Sequence, residues 1–164
     1  MNGRIENQSN ELNVGRAGEY LVMVDLISKG FKCFLTDQGI NYDIVVDYNG
    51  RLIKLQVKAT QRPRILQQRY VTPVYQFGIR RAGKGGKRQY DPKEFDGFAL
   101  AVLDVRQVGY MFFREKMNRT VLVRDCRQRE KYQQKGKRAS YLDEITFERF
   151  LIDYEKSTKQ NTVL

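Results

Sequence analysis

Three polar residues are spaced so that a β-hairpin would bring them together: Asp43, Gln56 and Lys58. The dipeptide Asn49-Gly50 between them is the strongest short-range signal for a two-residue turn, because a type I′ turn needs positive φ at both central residues. With this turn, paired residue numbers sum to 99, so Asp43 lies opposite Gln56, and Lys58 projects from the same face. A carboxylate, an amide oxygen and an amine therefore meet within side-chain reach.

The opposite face of the predicted hairpin supports this register. It carries an uninterrupted set of apolar side chains, Ile44, Val46, Ile53, Leu55 and Val57. A slip of one residue would bury the polar trio and expose this apolar set. The pattern therefore predicts one face for a core and one face for chemistry.

The trio suits hydrolysis of a phosphodiester, which needs an activated water and stabilisation of charge on the phosphate. Asp43 would supply a carboxylate oxygen, Gln56 an amide oxygen and Val57 its backbone carbonyl to Mg²⁺ or Mn²⁺, which prefer oxygen ligands. Lys58 would orient or deprotonate the attacking water, or neutralise the phosphate.

The composition excludes several other kinds of chemistry. The chain has no histidine, which rules out Ser-His-Asp and Cys-His nucleophiles and histidine–metal nuclease motifs. Its two cysteines, Cys33 and Cys126, stand far apart and predict neither a disulfide framework nor a zinc site. No apolar run reaches the ~18 residues of a membrane span. Residues 1–13 lack a signal-peptide core, so we expect a cytoplasmic protein with no membrane partner.

The net charge of +11 is concentrated in one window of the chain. Residues 48–90 contain eleven Lys and Arg and no Asp or Glu, while the rest of the chain balances 19 basic against 19 acidic residues. A solvated basic face does not require the exclusion of acids over 43 consecutive residues, so a phosphate backbone is the better interpretation. The candidate nucleic-acid contacts are Arg62, Arg64, Arg69, Tyr75, Gln76, Arg80, Arg81, Lys84, Lys87 and Arg88.

A first helix is predicted over residues 14–29, with Asn13 as N-cap and Gly30 at its C-terminal end. Its apolar residues go most of the way round, which predicts a largely buried helix. Glu19 shares a face with Val22 and Leu26, so its carboxylate needs a partner. That partner is either a basic side chain or the metal site, and helix geometry alone leaves both open.

The remaining pattern predicts one domain over residues 1–164, with a core of about 14–123. Strands are predicted at 31–35, 42–60 (the hairpin), 70–79, 95–105, 109–114 and 120–123. A basic excursion at about 61–90 could form an antiparallel ribbon for a DNA groove and ends in a glycine-rich loop at 80–89. The charged tract 124–138 is either a helix on DNA or a solvated connection. A C-terminal amphipathic helix at about 146–157, capped by Thr146, would pack on the sheet or on another subunit.

The elements Gly-Arg-Ala-Gly-Glu19, Tyr-Asp43 and Gln56-Val-Lys58 together resemble the PD-(D/E)xK nuclease superfamily in its less usual Gln form. With Phe-Asp-Gly-Phe-Ala at 95–99, they resemble the small homing endonucleases encoded in cyanobacterial group I introns. The resemblance covers about residues 14–113.

This resemblance implies an α/β, restriction-endonuclease-like fold, a mixed sheet of four or five strands flanked by helices, with a DNA-binding β-ribbon or loop excursion. It also implies Mg²⁺-dependent cleavage of double-stranded DNA at a long pseudo-palindromic target by a homo-oligomer, a dimer or a tetramer. By position, Asp43 and Gln56 match metal ligands, Lys58 matches the catalytic lysine, and Glu19 matches the supporting helix carboxylate and a further metal ligand. Gln56 replaces the superfamily's acid and removes one negative charge from the site.

Three alternatives stay open. One is a Holliday-junction resolvase, which would bind four-way junctions by shape, and another is a restriction-type nuclease of the same superfamily. The third is a non-catalytic DNA-binding module that keeps the hairpin as a scaffold, in which Asp43→Ala would leave function intact.

Overall fold

A five-stranded mixed sheet forms the centre of the protein. The computed structural model describes residues 8–65, 73–80, 89–114, 117–129 and 140–160. The elements in chain order are helix α1 (Gln8–Ser28), strands β1 (Lys32–Leu35), β2 (Ile44–Tyr48), β3 (Arg51–Thr60), β4 (Tyr75–Gly78), β5 (Gly97–Val102), β6 (Gln107–Phe112) and β7 (Thr120–Val123), and helix α2 (Phe147–Gln160).

The strand order of the large sheet is β1-β2-β3-β5-β6, and β3 and β5 run parallel while all other neighbours run antiparallel. All six residues of β5 are buried, as expected for a near-continuous apolar strand covered on both faces. Strands β4 and β7 pair separately as a two-stranded antiparallel sheet. The expected mixed α/β architecture is confirmed.

The hairpin turn has the predicted conformation. Asn49 and Gly50 both have positive φ, 52° and 75°, and Tyr48 pairs with Arg51. Ile44 lies opposite Leu55, so the register in which paired numbers sum to 99 is confirmed.

The two faces of the large sheet are covered differently. Both helices pack on one face, where the core contains the inward residues of α1, α2 and the hairpin. The other face packs against β4, β7 and an aromatic cluster that includes Phe95 and Phe98. Gln56 and Lys58 alternate with Ile53, Leu55 and Val57 along β3, so they belong to this second face.

Helix α1 differs from the prediction at its start and in its burial. It begins at Gln8, so Asn13 lies inside the helix and is not its N-cap. Gly30 does end it: with φ of 86°, it allows Phe31 N to donate to Leu26 O at 3.0 Å, a Schellman closure. One stripe, including Leu26, is buried, whereas Val24 is 63% exposed, so the prediction of a largely buried helix is wrong.

The basic excursion is only partly a ribbon of its own. Arg64 and Val74 form an antiparallel bridge with two backbone hydrogen bonds, of 2.7 and 2.9 Å. Beyond it, β4 pairs with β7, and no strand pairing joins β4 to the described residues 61–65. Residues 66–72 and 81–88, including the glycine-rich loop, lie outside the described residues.

The C-terminal part resolves one open alternative. Thr146 caps α2, since its Oγ1 accepts a hydrogen bond from Arg149 N at 3.3 Å. Phe147 and Phe150 of α2 are buried in the chain's own core, so the helix packs on the sheet. The described start of the charged tract contains one 3-10 turn, Cys126–Gln128, and residues 130–139 lie outside the described part.

No helix among the described residues has the length and apolar character needed to cross a membrane.

Candidate active site

Asp43 is fixed by backbone hydrogen bonds to both neighbouring strands. Its N–H donates to Leu55 O at 2.9 Å, and its carbonyl accepts from Thr36 N at 3.0 Å. The residue lies one position before β2, in a half-buried position, so its backbone is held as firmly as a strand residue. This placement gives its side chain one defined direction.

The Asp43 carboxylate contacts two neighbours on β3. Its Oδ2 accepts a 2.7 Å hydrogen bond from Val57 N and a short hydrogen bond from Gln56 Nε2. Both contacts use the same oxygen, and no hydrogen bond among the described residues uses Oδ1. The predicted meeting of Asp43 with Gln56 is therefore observed, and one carboxylate oxygen is left for a ligand.

The orientation of the Gln56 amide matters for its chemistry. Its nitrogen faces Asp43, because a carboxylate oxygen can only accept, so its oxygen Oε1 is directed elsewhere. In a strand, the N–H and C=O of one residue point to the same side, so the Val57 carbonyl faces the same region as its N–H. The Gln56 amide and the Val57 backbone thus lie beside the carboxylate, and their role as metal ligands stays a prediction.

Lys58 is half-buried and held through its amine. Its Nζ donates to the hydroxyl of Tyr90 at 2.8 Å and makes a longer contact, 3.5 Å, with the carbonyl of Arg80. Burial lowers the pKa of the Lys58 amine below the usual lysine value, and the negative charge of Asp43 offsets part of this effect. The amine therefore lies on the same face as Asp43 and is linked to it by charge.

Glu19 is brought towards the sheet by the glycine before it. A Cβ at Gly18 would lie 2.5 Å from the Cβ of Ala59 and 3.3 Å from that of Ala101, so only glycine lets α1 approach β3 and β5 this closely. Burial and the charge of Asp43 raise the pKa of the Glu19 carboxyl, while Arg16 opposes the shift. Glu19 is thus coupled to Asp43 electrostatically.

The two carboxyl groups both resist ionisation. Burial raises the pKa of Asp43, although the Val57 amide, the Lys58 charge and the Gln56 hydrogen bond counteract it. Buried carboxylates that are raised in pKa and close in space are typical of functional sites. A cation bound between them would stabilise their ionised forms and so oppose the burial and charge repulsion that raise their pKa values.

The donor set fits a hard divalent cation. It offers the carboxylate of Asp43 and the amide oxygen of Gln56, with Glu19 and the Val57 carbonyl as further oxygens. No group of three or more His, Cys, Asp or Glu residues that could hold a metal occurs in the described part of the chain. Gln56 explains this, because an amide stands where a third acid would complete such a group.

A groove lies between helix α1 and the end of β3. It is a cavity of about 730 Å³ between the first turns of α1 and the segment after β3. Arg62 and Arg64 line it and are exposed, and Glu11 lines the helix side. The Ala59 side chain in its lining faces Gly18 of α1, so the groove lies on the helix side of β3, across the strand from Gln56 and Lys58.

The other candidate DNA contacts differ in burial and in their hydrogen-bond partners. Arg80 is half-buried beside Lys58, and its Nε has no hydrogen-bond partner among the described residues. Gln76 is half-buried on β4. Tyr75 is only 4% exposed, and its hydroxyl donates to Asp104 at 3.2 Å, so the structure does not bring this residue to a contact surface. The candidates outside the described residues are Arg69, Arg81, Lys84, Lys87 and Arg88.

Sequence reasoning missed Tyr90. The residue ends the acid-free window and is 32 positions from Lys58, so no local spacing connects the two. An aromatic residue directly after a basic segment was the only available signal.

The mixed sheet with its flanking helices is a restriction-endonuclease-like core. The sequence profile of the PD-(D/E)XK endonuclease family matches residues 9–148, and the chain belongs to that family. A solved structure of a bacterial homing endonuclease, I-Ssp6803I, is similar in fold, with a TM-score of 0.62 and 15% sequence identity. The similarity covers 93% of this chain and 98% of that one. A search of curated protein sequences gave no significant match.

Proposed function

We propose that this protein is a Mg²⁺-dependent endonuclease, with Mn²⁺ as an alternative ion, that cleaves double-stranded DNA at a long pseudo-palindromic site. The convergence of Asp43, Gln56 and Lys58 on one face of a hairpin carries the proposal. Family membership supports endonuclease activity, and the fold similarity to a homing endonuclease supports site-specific cleavage of the homing type.

In this mechanism the chain's residues bind and orient. A bound divalent cation lowers the pKa of a coordinated water and draws electron density from phosphate oxygens. Asp43 Oδ1, Gln56 Oε1 and the Val57 carbonyl would hold this ion, and Glu19 would add negative charge from the helix side. Asp43 Oδ2 stays occupied by the Val57 N–H and the Gln56 amide, which prevents rotation of the carboxylate.

Lys58 acts on the phosphate. An ammonium has three donors, and Tyr90 and Arg80 provide oxygen acceptors for two of them. The third donor can reach a phosphate oxygen or the attacking water. Burial lowers the pKa of this amine, so Lys58 can neutralise phosphate charge as an ammonium or orient and deprotonate the attacking water.

Gln56 in place of an acid has a cost for the site. Two carboxylates would attract a divalent ion more strongly than one carboxylate and one amide, so we expect weaker metal binding in the absence of DNA. The substrate phosphate then supplies the missing negative charge. Metal affinity should therefore rise when DNA is bound.

The DNA contacts include exposed arginines just beyond the end of β3. Arg62 and Arg64 are exposed there and are free to contact the backbone or guanine edges. Arg80, with an unsatisfied buried Nε among the described residues, marks the other side of Lys58. The remaining basic residues of the excursion extend the same positive region in sequence.

We also propose a homo-oligomer, a dimer or a tetramer. The outer face of α1 exposes Leu12 at 78%, Val24 at 63% and Ile27 at 56%, and a second copy of the chain is the occupant that a symmetric DNA target requires. Light scattering on the purified protein should give a mass that is a multiple of the 19.3 kDa chain. A strict monomer, free and on DNA, would contradict this part of the proposal.

The decisive experiment is cleavage selection from a random duplex DNA library with Mg²⁺, Mn²⁺ or EDTA. We expect cutting with either ion, none with EDTA, and enrichment of one long sequence with two-fold symmetry. Preferential cutting of four-way junctions without sequence preference would indicate a resolvase instead. Tight binding without cutting under any ion would indicate a non-catalytic DNA-binding module.

A further inference from the structure

We infer that Tyr90 is the positioning residue for Lys58, and that its hydroxyl fixes the lysine amine in the place from which it acts on the phosphate. The catalytic role of the lysine amine in this position rests on the proposed nuclease function. The geometry of the Lys58–Tyr90 contact does not depend on that function.

The contact between the two side chains is a hydrogen bond. Lys58 Nζ lies 2.8 Å from the Tyr90 hydroxyl and 5.1 Å from the ring centroid. The amine therefore lies at the hydroxyl end of the ring and not over its face, so attraction to the π-system contributes less than the hydrogen bond. Removal of the hydroxyl alone should break the contact.

The Tyr90 ring is held by residues that do not depend on Lys58. Its centroid lies 5.0 Å from that of Phe95 and 5.7 Å from that of Phe98, both in edge-on arrangements. Phe95 is 2% exposed and Phe98 is fully buried. Phe98 also pairs with Gln56 in the parallel register of β3 and β5. The tyrosine therefore packs on β5, the strand that pairs with β3 beside Gln56 and Lys58.

A lysine needs such an anchor more than an aspartate does. Its amine is carried on a flexible four-carbon stem, so its position is set by what it contacts. Asp43 is fixed by four hydrogen bonds to neighbouring strands and to Gln56, as described above. Tyr90 gives Lys58 a comparable constraint, since the other hydrogen bond of its amine within the described part of the chain, to the Arg80 carbonyl, is 3.5 Å long.

The first test is Tyr90→Phe, which keeps the ring and removes the hydroxyl. We expect the single-turnover cleavage rate to fall roughly tenfold, as for the loss of one hydrogen bond to a charged group, while the Kd for DNA and the Tm stay unchanged. The matched control is Tyr48→Phe, which removes a half-buried hydroxyl that donates to Glu155 at 2.7 Å. An unchanged cleavage rate in Tyr90→Phe would overturn the inference.

The second test asks whether Tyr90 acts through Lys58. In a Lys58→Ala background, Tyr90→Phe should cause no further loss of cleavage, because the group that it positions is gone. If the two losses multiply instead, Tyr90 acts on its own and the positioning role is wrong.

A third measurement does not depend on cleavage. The rate at which a small amine-acylating reagent modifies Lys58, followed by mass spectrometry, should rise in Tyr90→Phe and not in Tyr48→Phe. If wild-type protein cuts no DNA but Lys58 labelling still rises, the nuclease proposal fails and the positioning contact stands. Equal labelling in all three proteins would refute the contact itself.

Discussion

The two faces of β3 differ in what they contribute. On the helix side, Ile53, Leu55 and Val57 are at most 8% exposed and pack into the core. On the other side, Gln56 and Lys58 are half-buried and make polar contacts. One strand therefore supplies stability with alternate residues and chemistry with those between. Substitutions on the two faces should consequently change different measured quantities.

The largest expected effect is on the polar face. Lys58→Ala should lower the cleavage rate by roughly 10²–10⁴-fold, the range for loss of a group that acts on the reacting atoms, while binding survives. Lys54→Ala is the matched control, because Lys54 lies on the same face of β3 but contacts Tyr42 near the start of the strand. Equal losses of cleavage rate in Lys58→Ala and Lys54→Ala would show that Lys58 acts only as one of the basic residues on this face and not as a specific active-site residue.

On the apolar face of β3, a substitution should lower stability and leave the cleavage rate largely intact. Leu55 is fully buried, so Leu55→Ala should lower the free energy of unfolding by about 2–5 kcal/mol. Below its Tm, the folded variant should retain most of its cleavage rate. Denaturant unfolding and single-turnover cleavage at low temperature measure the two quantities. A rate loss as large as that of Lys58→Ala would show that the faces are not separable.

A smaller effect on stability, opposite in sign to that of Leu55→Ala, is expected at Asp43. Burial raises the pKa of its carboxyl in the folded state, so the ionised group destabilises the fold at neutral pH. This destabilisation is absent below the unfolded pKa of about 3.9 and grows as pH rises through the folded value. In EDTA, Asp43→Asn should therefore stabilise the protein by about 1 kcal/mol at pH 7, with no gain at low pH, while it abolishes cleavage.

The control for this prediction is Asp47→Asn, which changes an exposed carboxylate on β2. Thermal unfolding across a pH series measures both variants. A lower Tm for Asp43→Asn than for wild type at pH 7 would indicate that the Asp43 hydrogen bonds outweigh its burial.

The smallest expected effect lies beyond the end of β3. Arg64→Ala should weaken DNA binding and reduce the slope of log K against log salt concentration by about 1, the amount for one lost phosphate contact. Arg149→Ala, an exposed arginine on α2, should leave the slope unchanged. An identical slope in wild type and Arg64→Ala would remove this residue from the proposed DNA path.

The hairpin and its polar contacts could be predicted because they depend on short-range rules. Asn49-Gly50 specifies the turn, and the turn determines that Asp43 meets Gln56. Strand β7 was likewise predicted with its observed bounds, Thr120–Val123, since its residues favour a strand.

Other features depend on information that local patterns do not contain. Helix α1 begins at Gln8 because polar residues extend a helix without any apolar period to signal it. The same pattern cannot tell which apolar residues of α1 meet the sheet, so the helix was predicted to be largely buried although Val24 is exposed. The Tyr90 contact depends on the tertiary path of the chain between β4 and β5, which brings Tyr90 beside Lys58.

The close packing of Gly18 in α1 against Ala59 in β3 has a consequence for engineering. A methyl group on residue 18 would collide with Ala59, so positions 18 and 59 can enlarge only if the helix lifts away from the sheet and takes Glu19 with it. Homologues with a different pair here should therefore change both residues together. Redesign of DNA preference is better confined to the stretch that starts at Arg62, which can vary without disturbing the contact between Gly18 and Ala59.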